Sequence, residues 1–150
     1  MKTHRLLLAP LLYLGMQWSA YAADNDDLSA EQIIEEMTRL NNAGQFQAAY
    51  DLGYENLQNI ELDLEGVSSF DFAYGLAALE SGEPNEAVFA LERVSATATQ
   101  GVLRQRARLE LARAYFVTNN LTASENLFNT VLATNPPANV RQNIEAFLQL

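Results

Sequence analysis

Residue types that carry common protein chemistry are scarce in this chain. Its 150 residues include no cysteine, one histidine, His4, and one lysine, Lys2. Without cysteine the chain can form neither disulfides nor thiolate metal sites. Since the one histidine and the one lysine lie in the N-terminal segment described next, Cys/His zinc sites, histidine bases and lysine nucleophiles are excluded from the rest. The composition favours a non-enzymatic protein with neither cofactor nor metal.

The first 22 residues predict a cleaved secretion signal. A basic start, an apolar run too short to cross a bilayer and a small-x-small cleavage site follow one another: Lys2, His4 and Arg5, then residues 6–16, then Ala20, Tyr21 and Ala22. The alternative, a membrane anchor, is disfavoured by the length of the run and by the cleavage site. We therefore expect residues 1–22 to be removed, residues 23–29 to form a flexible terminus, and the mature chain to be periplasmic. An association with the outer membrane stays open.

The chain is acidic, with 9 basic and 19 acidic residues and a formal net charge of −10. Removal of Lys2 and Arg5 would leave 9 − 2 = 7 basic residues, all arginine, and a net charge of −12. Such a chain repels nucleic acid and anionic lipid, so we expect no nucleic-acid partner and no membrane insertion after cleavage. The acidic run at residues 24–27 could form part of a calcium loop, but a solvated terminus explains it better.

The segment from Leu103 to Pro137 predicts two helices joined by a polar turn at residues 118–120. Apolar or small residues recur at helical spacing on both sides of that turn, at Ala107, Leu111, Ala112 and Tyr115 and then at Leu121, Ser124, Phe128 and Val131. Pro136 and Pro137 follow the second helix, which proline ends because it lacks an amide donor. The segment therefore predicts a helical hairpin.

Two earlier hairpins align with this one when Gly44, Gly82 and Asn119 are superposed. The units then cover about 30–62, 68–99 and 105–137, with spacings of 68 − 30 = 38 and 105 − 68 = 37 residues. A last amphipathic helix, within 138–150, would cap the stack. At the level of single helices we expect a capping box at Ser29 and Gln32, a second helix reaching Ile60, a third helix over Phe70–Glu80, and linkers at Glu61–Gly66 and Ala96–Gly101.

These units resemble tetratricopeptide repeats (TPR), in which small and aromatic residues recur at fixed helix positions and a proline ends the repeat. Gly75 and Ala112 occupy the small position of the first helix, whereas the first unit departs from the pattern with Met37 there and Gly53 in place of an aromatic residue. The resemblance implies an all-α TPR-like solenoid of three repeats plus a C-terminal capping helix.

The stretch from Asp71 to Leu150 also resembles the N-terminal periplasmic TPR module of the surface lipoprotein assembly modifier family. The resemblance lies in the run from Arg106 to Phe116 and in the proline turn and last helix that follow. Family members carry such repeats before an outer-membrane β-barrel, whereas this sequence contains no alternating ten-residue strands, so we expect the module without the barrel. The resemblance implies a part in outer-membrane or surface lipoprotein assembly, with a barrel protein or lipoprotein as partner.

TPR stacks bind ligands mainly on the face lined by the first helix of each repeat. In this alignment the predicted groove comprises Phe72, Leu76, Leu79, Arg106, Leu109, Arg113 and Phe116. Its two arginines would suit a peptide with acidic groups. The alternative is that both arginines pair with Glu110, four and three residues away, and that the aromatic residues only pack between units.

The leading hypothesis is a non-enzymatic periplasmic adapter that binds a protein partner through this groove. The first alternative is a structural or self-associating scaffold in a cell-envelope complex for the cell wall or polysaccharide export, which should expose apolar residues on the first or last helix. The second is a hydrolase using Glu80, Glu83 and Glu86, which would need two carboxylates converging in one pocket.

Overall fold

The computed structural model describes residues 28–58 and 60–149, so the predicted signal peptide and the acidic run at 24–27 lie outside the described residues. Helices occupy most of this part: α1 (Ala30–Asn42), α2 (Phe46–Asn56), α3 (Leu64–Glu80), α4 (Pro84–Thr97), α5 (Gly101–Val117), α6 (Leu121–Leu132) and α7 (Ala138–Leu148). No strand occurs among the described residues, and none of their helices is long and apolar enough to cross a membrane. The all-α prediction is confirmed.

The helices form three consecutive hairpins, α1/α2, α3/α4 and α5/α6, followed by α7. The first helices of neighbouring hairpins contact each other, α1 with α3 and α3 with α5, whereas α2 and α4 make no such contact, and neither do α4 and α6. Since the first helices lie closer together than the second helices, the stack curves towards the first helices. We call the surface of α1, α3 and α5 on this side the inner face.

All three hairpins turn with the same backbone geometry. Gly44, Gly82 and Asn119 have left-handed φ values of 71°, 89° and 61°, which glycine and asparagine tolerate best. In each turn the amide of the next residue donates to a carbonyl five residues earlier: Gln45 to Leu40, Glu83 to Ala78 and Asn120 to Tyr115, at 2.9, 2.8 and 2.8 Å. This is the hydrogen bond of a Schellman motif, which ends the helix. The alignment of these three positions in the sequence is confirmed.

Several helix boundaries differ from the sequence-based expectations. Helix α3 begins at Leu64, because the Asp63 carboxylate accepts a hydrogen bond from the Gly66 amide at 2.7 Å and caps the helix. The predicted linker over 61–66 is therefore half helical. Helix α2 ends at Asn56 instead of reaching Ile60, and α4 and α5 extend into the predicted linker over 96–101. The capping box at Ser29 and Gln32 is confirmed.

The unusual residues of the first unit compensate for each other. A Cβ atom at Gly53 would lie 2.8 Å from the Cε atom of Met37 and 2.6 Å from the Tyr74 ring, so the methionine fills the space that a larger residue at position 53 would need. In the second unit the sizes are reversed, since Gly75 leaves room for Leu91, whose Cγ would lie 2.8 Å from a Cβ at position 75. The large and small residues of this packing pair have therefore exchanged helices.

One ion pair joins α3 to α4 at the centre of the stack. The Asp71 carboxylate, whose side chain is 6% exposed, accepts two hydrogen bonds from Arg93 at 2.6 and 2.8 Å. The Arg93 side chain is 52% exposed, so its guanidinium is partly hydrated while the carboxylate depends on it. Both interactions with Asp71 raise the pKa of Arg93, although burial opposes them. The buried charge is thus compensated by a single partner.

Stability is expected to fall above about pH 10, the usual tyrosine pKa, and Tyr115→Phe should reduce that loss. The Tyr115 hydroxyl donates to the Glu92 carboxylate at 2.5 Å, and burial together with this carboxylate raises the pKa of Tyr115 to about 12. A pKa raised by folding means that the unfolded chain releases the proton first, so this contribution is complete below the unfolded pKa and is lost as pH rises through the folded one.

The measurement is the urea unfolding midpoint of wild type and Tyr115→Phe between pH 8 and pH 11.5. Glu92→Gln keeps an acceptor without the charge and should give an intermediate slope. Part of the slope should persist in every variant, because burial and the Glu86 carboxylate also raise the pKa of Tyr74. Identical slopes for wild type and Tyr115→Phe would contradict the expectation.

Candidate binding surface on the inner face

The repeat alignment places one residue of each first helix at each level of the inner face. The spacings of 38 and 37 residues make Glu31, Ser69 and Arg106 equivalent, since 31 + 38 = 69 and 69 + 37 = 106. We call this set the upper row. A lower row, two helical turns further along, contains Thr38, Leu76 and Arg113. Because α1, α3 and α5 lie side by side, each row runs across the three helices.

Arg106 lies over an aromatic ring of the neighbouring helix. Its guanidinium carbon is 4.8 Å from the centre of the Phe72 ring on α3, a cation–π distance. The side chain is exposed and makes no hydrogen bond or ion pair with any described residue. Phe72 is 8% exposed and belongs to the core between α3, α4 and α5. The ring therefore holds the guanidinium in place while its N–H donors remain available.

Arg113 forms ion pairs with two carboxylates. It donates to Glu110 on its own helix at 2.5 Å and to Glu80 on α3 at 2.6 Å. Burial lowers the pKa of Arg113, but the charges and hydrogen bonds of Glu110 and Glu80 outweigh it and raise the pKa. The pairing with Glu110 that the sequence allowed for both arginines thus occurs for Arg113 and not for Arg106. Arg113 joins the helices rather than presenting free donors.

The other residues of the predicted groove divide between surface and core. Leu76 and Leu109 are half-buried on the inner face, and Leu109 also packs against the core between α5, α6 and α7. Leu79 is 9% exposed and lies in the core with Phe72. Phe116 meets Phe147 of α7 edge to face at 5.3 Å. Phe72, Leu79 and Phe116 therefore make packing contacts with neighbouring helices.

Two exposed valines extend the same side of α5 and were not in the predicted groove. Val102 precedes Arg106 by four residues and is 77% exposed, and Val117 follows Arg113 by four residues and is 61% exposed. Their helical spacing from the arginines could have revealed them. The exposed stripe on α5 thus has a valine at each end and the available guanidinium of Arg106 between them.

Two of the three carboxylates of the hydrolase alternative have different partners. Glu80 pairs with Arg113, and Glu86 accepts a hydrogen bond from the Tyr74 hydroxyl. Among the described residues no group of three acidic or histidine side chains could hold a metal ion.

A tetratricopeptide-repeat family model matches residues 78–144, from the last turn of α3 to the middle of α7. No curated protein and no solved structure matches the chain significantly. With the repeated hairpins described above, the match shows that the chain is a TPR-like helical solenoid. Repeats of this type indicate a role in protein–protein interaction.

Proposed function

We propose that this TPR-like solenoid is a non-enzymatic adapter that captures a protein partner on the inner face of α3 and α5. The observation that carries the proposal is Arg106, an exposed guanidinium held 4.8 Å from the centre of the Phe72 ring without any acidic partner among the described residues. Among the described residues Arg104, Arg108 and Arg141 also make no ion pair, but Arg106 is the arginine held over an aromatic ring on the inner face. Its free donors suit a carboxylate of the partner, and Leu76 and Leu109 offer apolar contact beside it.

The cellular setting is part of the proposal. The signal pattern of residues 1–22 supports the periplasm, and the resemblance of Asp71 to Leu150 to the surface lipoprotein assembly modifiers supports a part in outer-membrane or surface lipoprotein assembly. The partner would then be an outer-membrane barrel protein or a lipoprotein, and the adapter would work close to the outer membrane.

The self-associating scaffold has less support from the described residues. Among the described residues of the first and last helices, α1 and α7, the only large apolar side chain with substantial exposure is Leu148, at 37%. Helix α7 buries Ile144 fully against α5 and α6, and its Phe147 stacks on Phe128 at 5.2 Å, so it covers the apolar end of the stack. A capped end does not favour end-to-end association.

Arg106→Glu is expected to abolish partner capture, because it places a carboxylate where the partner's carboxylate should bind. Arg108→Glu is the matched control, since Arg108 lies on the same helix, makes no ion pair with a described residue and gives the same change in net charge. Two residues along a helix turn the side chain by about 200°, away from the inner face. Arg113 is unsuitable for this test because its reversal would also break the link to Glu80.

The measurement is a crosslinking pull-down from periplasmic extract with the mature protein. The proposal predicts that wild type and Arg108→Glu capture the same barrel protein or lipoprotein and that Arg106→Glu does not. Capture that is equal for all three proteins, or capture of the protein itself alone, would overturn it. Circular dichroism of each variant checks that the helices are intact.

A further inference from the structure

The charges of the inner face are separated between its two sides. On α5 the two inner-face rows hold Arg106, which makes no ion pair with a described residue, and Arg113, which is neutralised by Glu80 and Glu110. On α1 the same two rows hold Glu31, which makes no ion pair with a described residue either, and the uncharged Thr38. Between them, the inner positions of α3 are neutral, at Ser69 and Leu76. The inner face is therefore negative at α1, uncharged at α3 and positive at α5.

Two acidic side chains of α1, those of Glu31 and Glu35, make no ion pair with a described residue. Glu31 and Glu35 are exposed, and the contact made by either is limited to a hydrogen bond from the Ser29 hydroxyl to Glu31 at 3.0 Å. They lie four residues apart on one side of the helix, where like charges repel each other. Arg39 pairs with Glu36 instead. A cation supplied from outside would relieve this repulsion.

A buried acceptor without a donor lies in the seam between α1 and α3. The Asn41 side chain, 8% exposed, donates to the Ala73 carbonyl at 2.8 Å, while its own amide oxygen accepts nothing. The equivalent inner positions of the next two units hold Leu79 and Phe116, since 41 + 38 = 79 and 79 + 37 = 116. An unsatisfied buried oxygen costs stability where an apolar residue would not. With almost no exposed surface, this oxygen is a stability cost of the seam between α1 and α3 and not a contact for a ligand.

We infer that the inner face binds an extended peptide segment in one orientation, with a basic side chain over Glu31 and Glu35 of α1 and an acidic side chain on Arg106 of α5. This inference rests on the proposed function, and it adds the chemistry and the direction of the bound segment. An apolar residue of the segment would lie over Leu76 of α3, between the two charged contacts. A segment with acidic groups alone would satisfy α5 and be repelled by α1.

The geometry sets the spacing of the two charges in the segment. Neighbouring helix axes are about 8–10 Å apart, so the upper row spans about 18 Å from α1 to α5. An extended chain advances about 3.3 Å per residue, which places the basic and acidic residues about six positions apart. The matching probe is a seven-residue peptide with lysine first, glutamate last and apolar residues between, blocked at both termini so that only the side chains are charged.

The test compares this lysine–glutamate peptide with lysine–lysine, glutamate–glutamate and glutamine–glutamine versions by fluorescence anisotropy. The lysine–glutamate peptide should bind tightest, with about fivefold weaker binding for each exposed ion pair that is removed. The double variant Glu31→Gln with Glu35→Gln should weaken binding of the lysine–glutamate peptide and should not weaken binding of the glutamate–glutamate peptide. The matched control, Glu55→Gln with Glu125→Gln, makes the same charge change on α2 and α6 and should have no effect.

The direction of the segment is measured by site-specific labelling, which the absence of cysteine makes simple. Thr38→Cys places a thiol on α1, and Val102→Cys places one on α5; both positions are exposed. A lysine–glutamate peptide with a thiol-reactive group at its lysine end should label the α1 cysteine faster than the α5 cysteine. Moving the reactive group to the glutamate end should reverse that preference.

The outcomes separate the inference from the proposed function. If the glutamate–glutamate peptide binds as tightly as the lysine–glutamate peptide and both are lost in Arg106→Glu, the binding face stands and the dipolar segment is wrong. Equal labelling of both cysteines would overturn the direction. If no peptide binds while partner capture still depends on Arg106, the segment class is wrong. If neither peptide binding nor partner capture responds to Arg106→Glu, the proposed function fails as well.

Discussion

Met37→Ala is expected to lower the free energy of unfolding by about 3 kcal/mol, within the usual range for truncating a buried methionine. Met37 is fully buried and fills the space beside Gly53. Since glycine has no side chain, position 53 cannot fill the cavity that the alanine would leave. Gly53→Leu should also destabilise, by about 2 kcal/mol or more, because its Cβ would meet Met37 at 2.8 Å and the Tyr74 ring at 2.6 Å. Each change alone therefore disrupts the same packing pair, one by a cavity and the other by a clash.

Combining Met37→Ala with Gly53→Leu should cost less than the sum of the two single changes, by about 1–2 kcal/mol, because the leucine then enters the space left by the methionine. The combination reproduces the arrangement of the third unit, where Ala112 packs in one core with Phe128. Recovery should be partial, since the Tyr74 ring stays in place. Urea unfolding of the four proteins measures the coupling. The control combines Ile144→Ala with Gly53→Leu, two residues in separate cores, and its loss of unfolding free energy should equal the sum of the two single losses. If the losses of Met37→Ala and Gly53→Leu also simply add, the proposed exchange of sizes is wrong.

The second large effect is expected at the ion pair between α3 and α4. Arg93→Met should lower the free energy of unfolding by about 2–3 kcal/mol, because it leaves the carboxylate of Asp71, 6% exposed, without its charged donor. Asp71→Leu should cost less, since the Arg93 side chain is 52% exposed and water can replace the carboxylate.

Replacing both partners, Asp71→Leu with Arg93→Met, should bring the stability back to within about 1 kcal/mol of wild type, because no buried charge then remains. The measurement is again urea unfolding at neutral pH. Equal losses for the two single variants would show that the carboxylate does not depend on Arg93. A double variant as unstable as Arg93→Met alone would show that packing, rather than charge, determines the loss.

Much of the fold could be predicted because the signals were local. Gly44, Gly82 and Asn119 mark the turns, and all three have the left-handed backbone that such residues permit. The start of α3 could not be predicted, because Leu64 and Val67 are exposed and supply no apolar period. The cap at Asp63 that begins this helix has no acidic or amide partner at Gly66 to complete a recognisable box. The start of α5 at Gly101 has no side-chain cap at all.

The site was predicted less completely, for a physical reason. Within α5, Arg106 and Arg113 stand at equally good pairing distances from Glu110, so their helix alone does not distinguish them. Their states are decided on α3, where Phe72 holds one arginine and Glu80 neutralises the other. These contacts join residues more than thirty positions apart in sequence. Only the stacking of the hairpins brings them together.

If the inner face binds an extended segment as inferred above, the length of that segment is set by the number of hairpins. Because every hairpin turns with the same backbone geometry, an additional hairpin would add another first helix to the inner face. Each added hairpin would widen the inner face by about 9 Å and lengthen an extended ligand by about three residues. The number of hairpins would then determine the length of the ligand, and the side chains of the outermost hairpins would determine which charges the ligand carries.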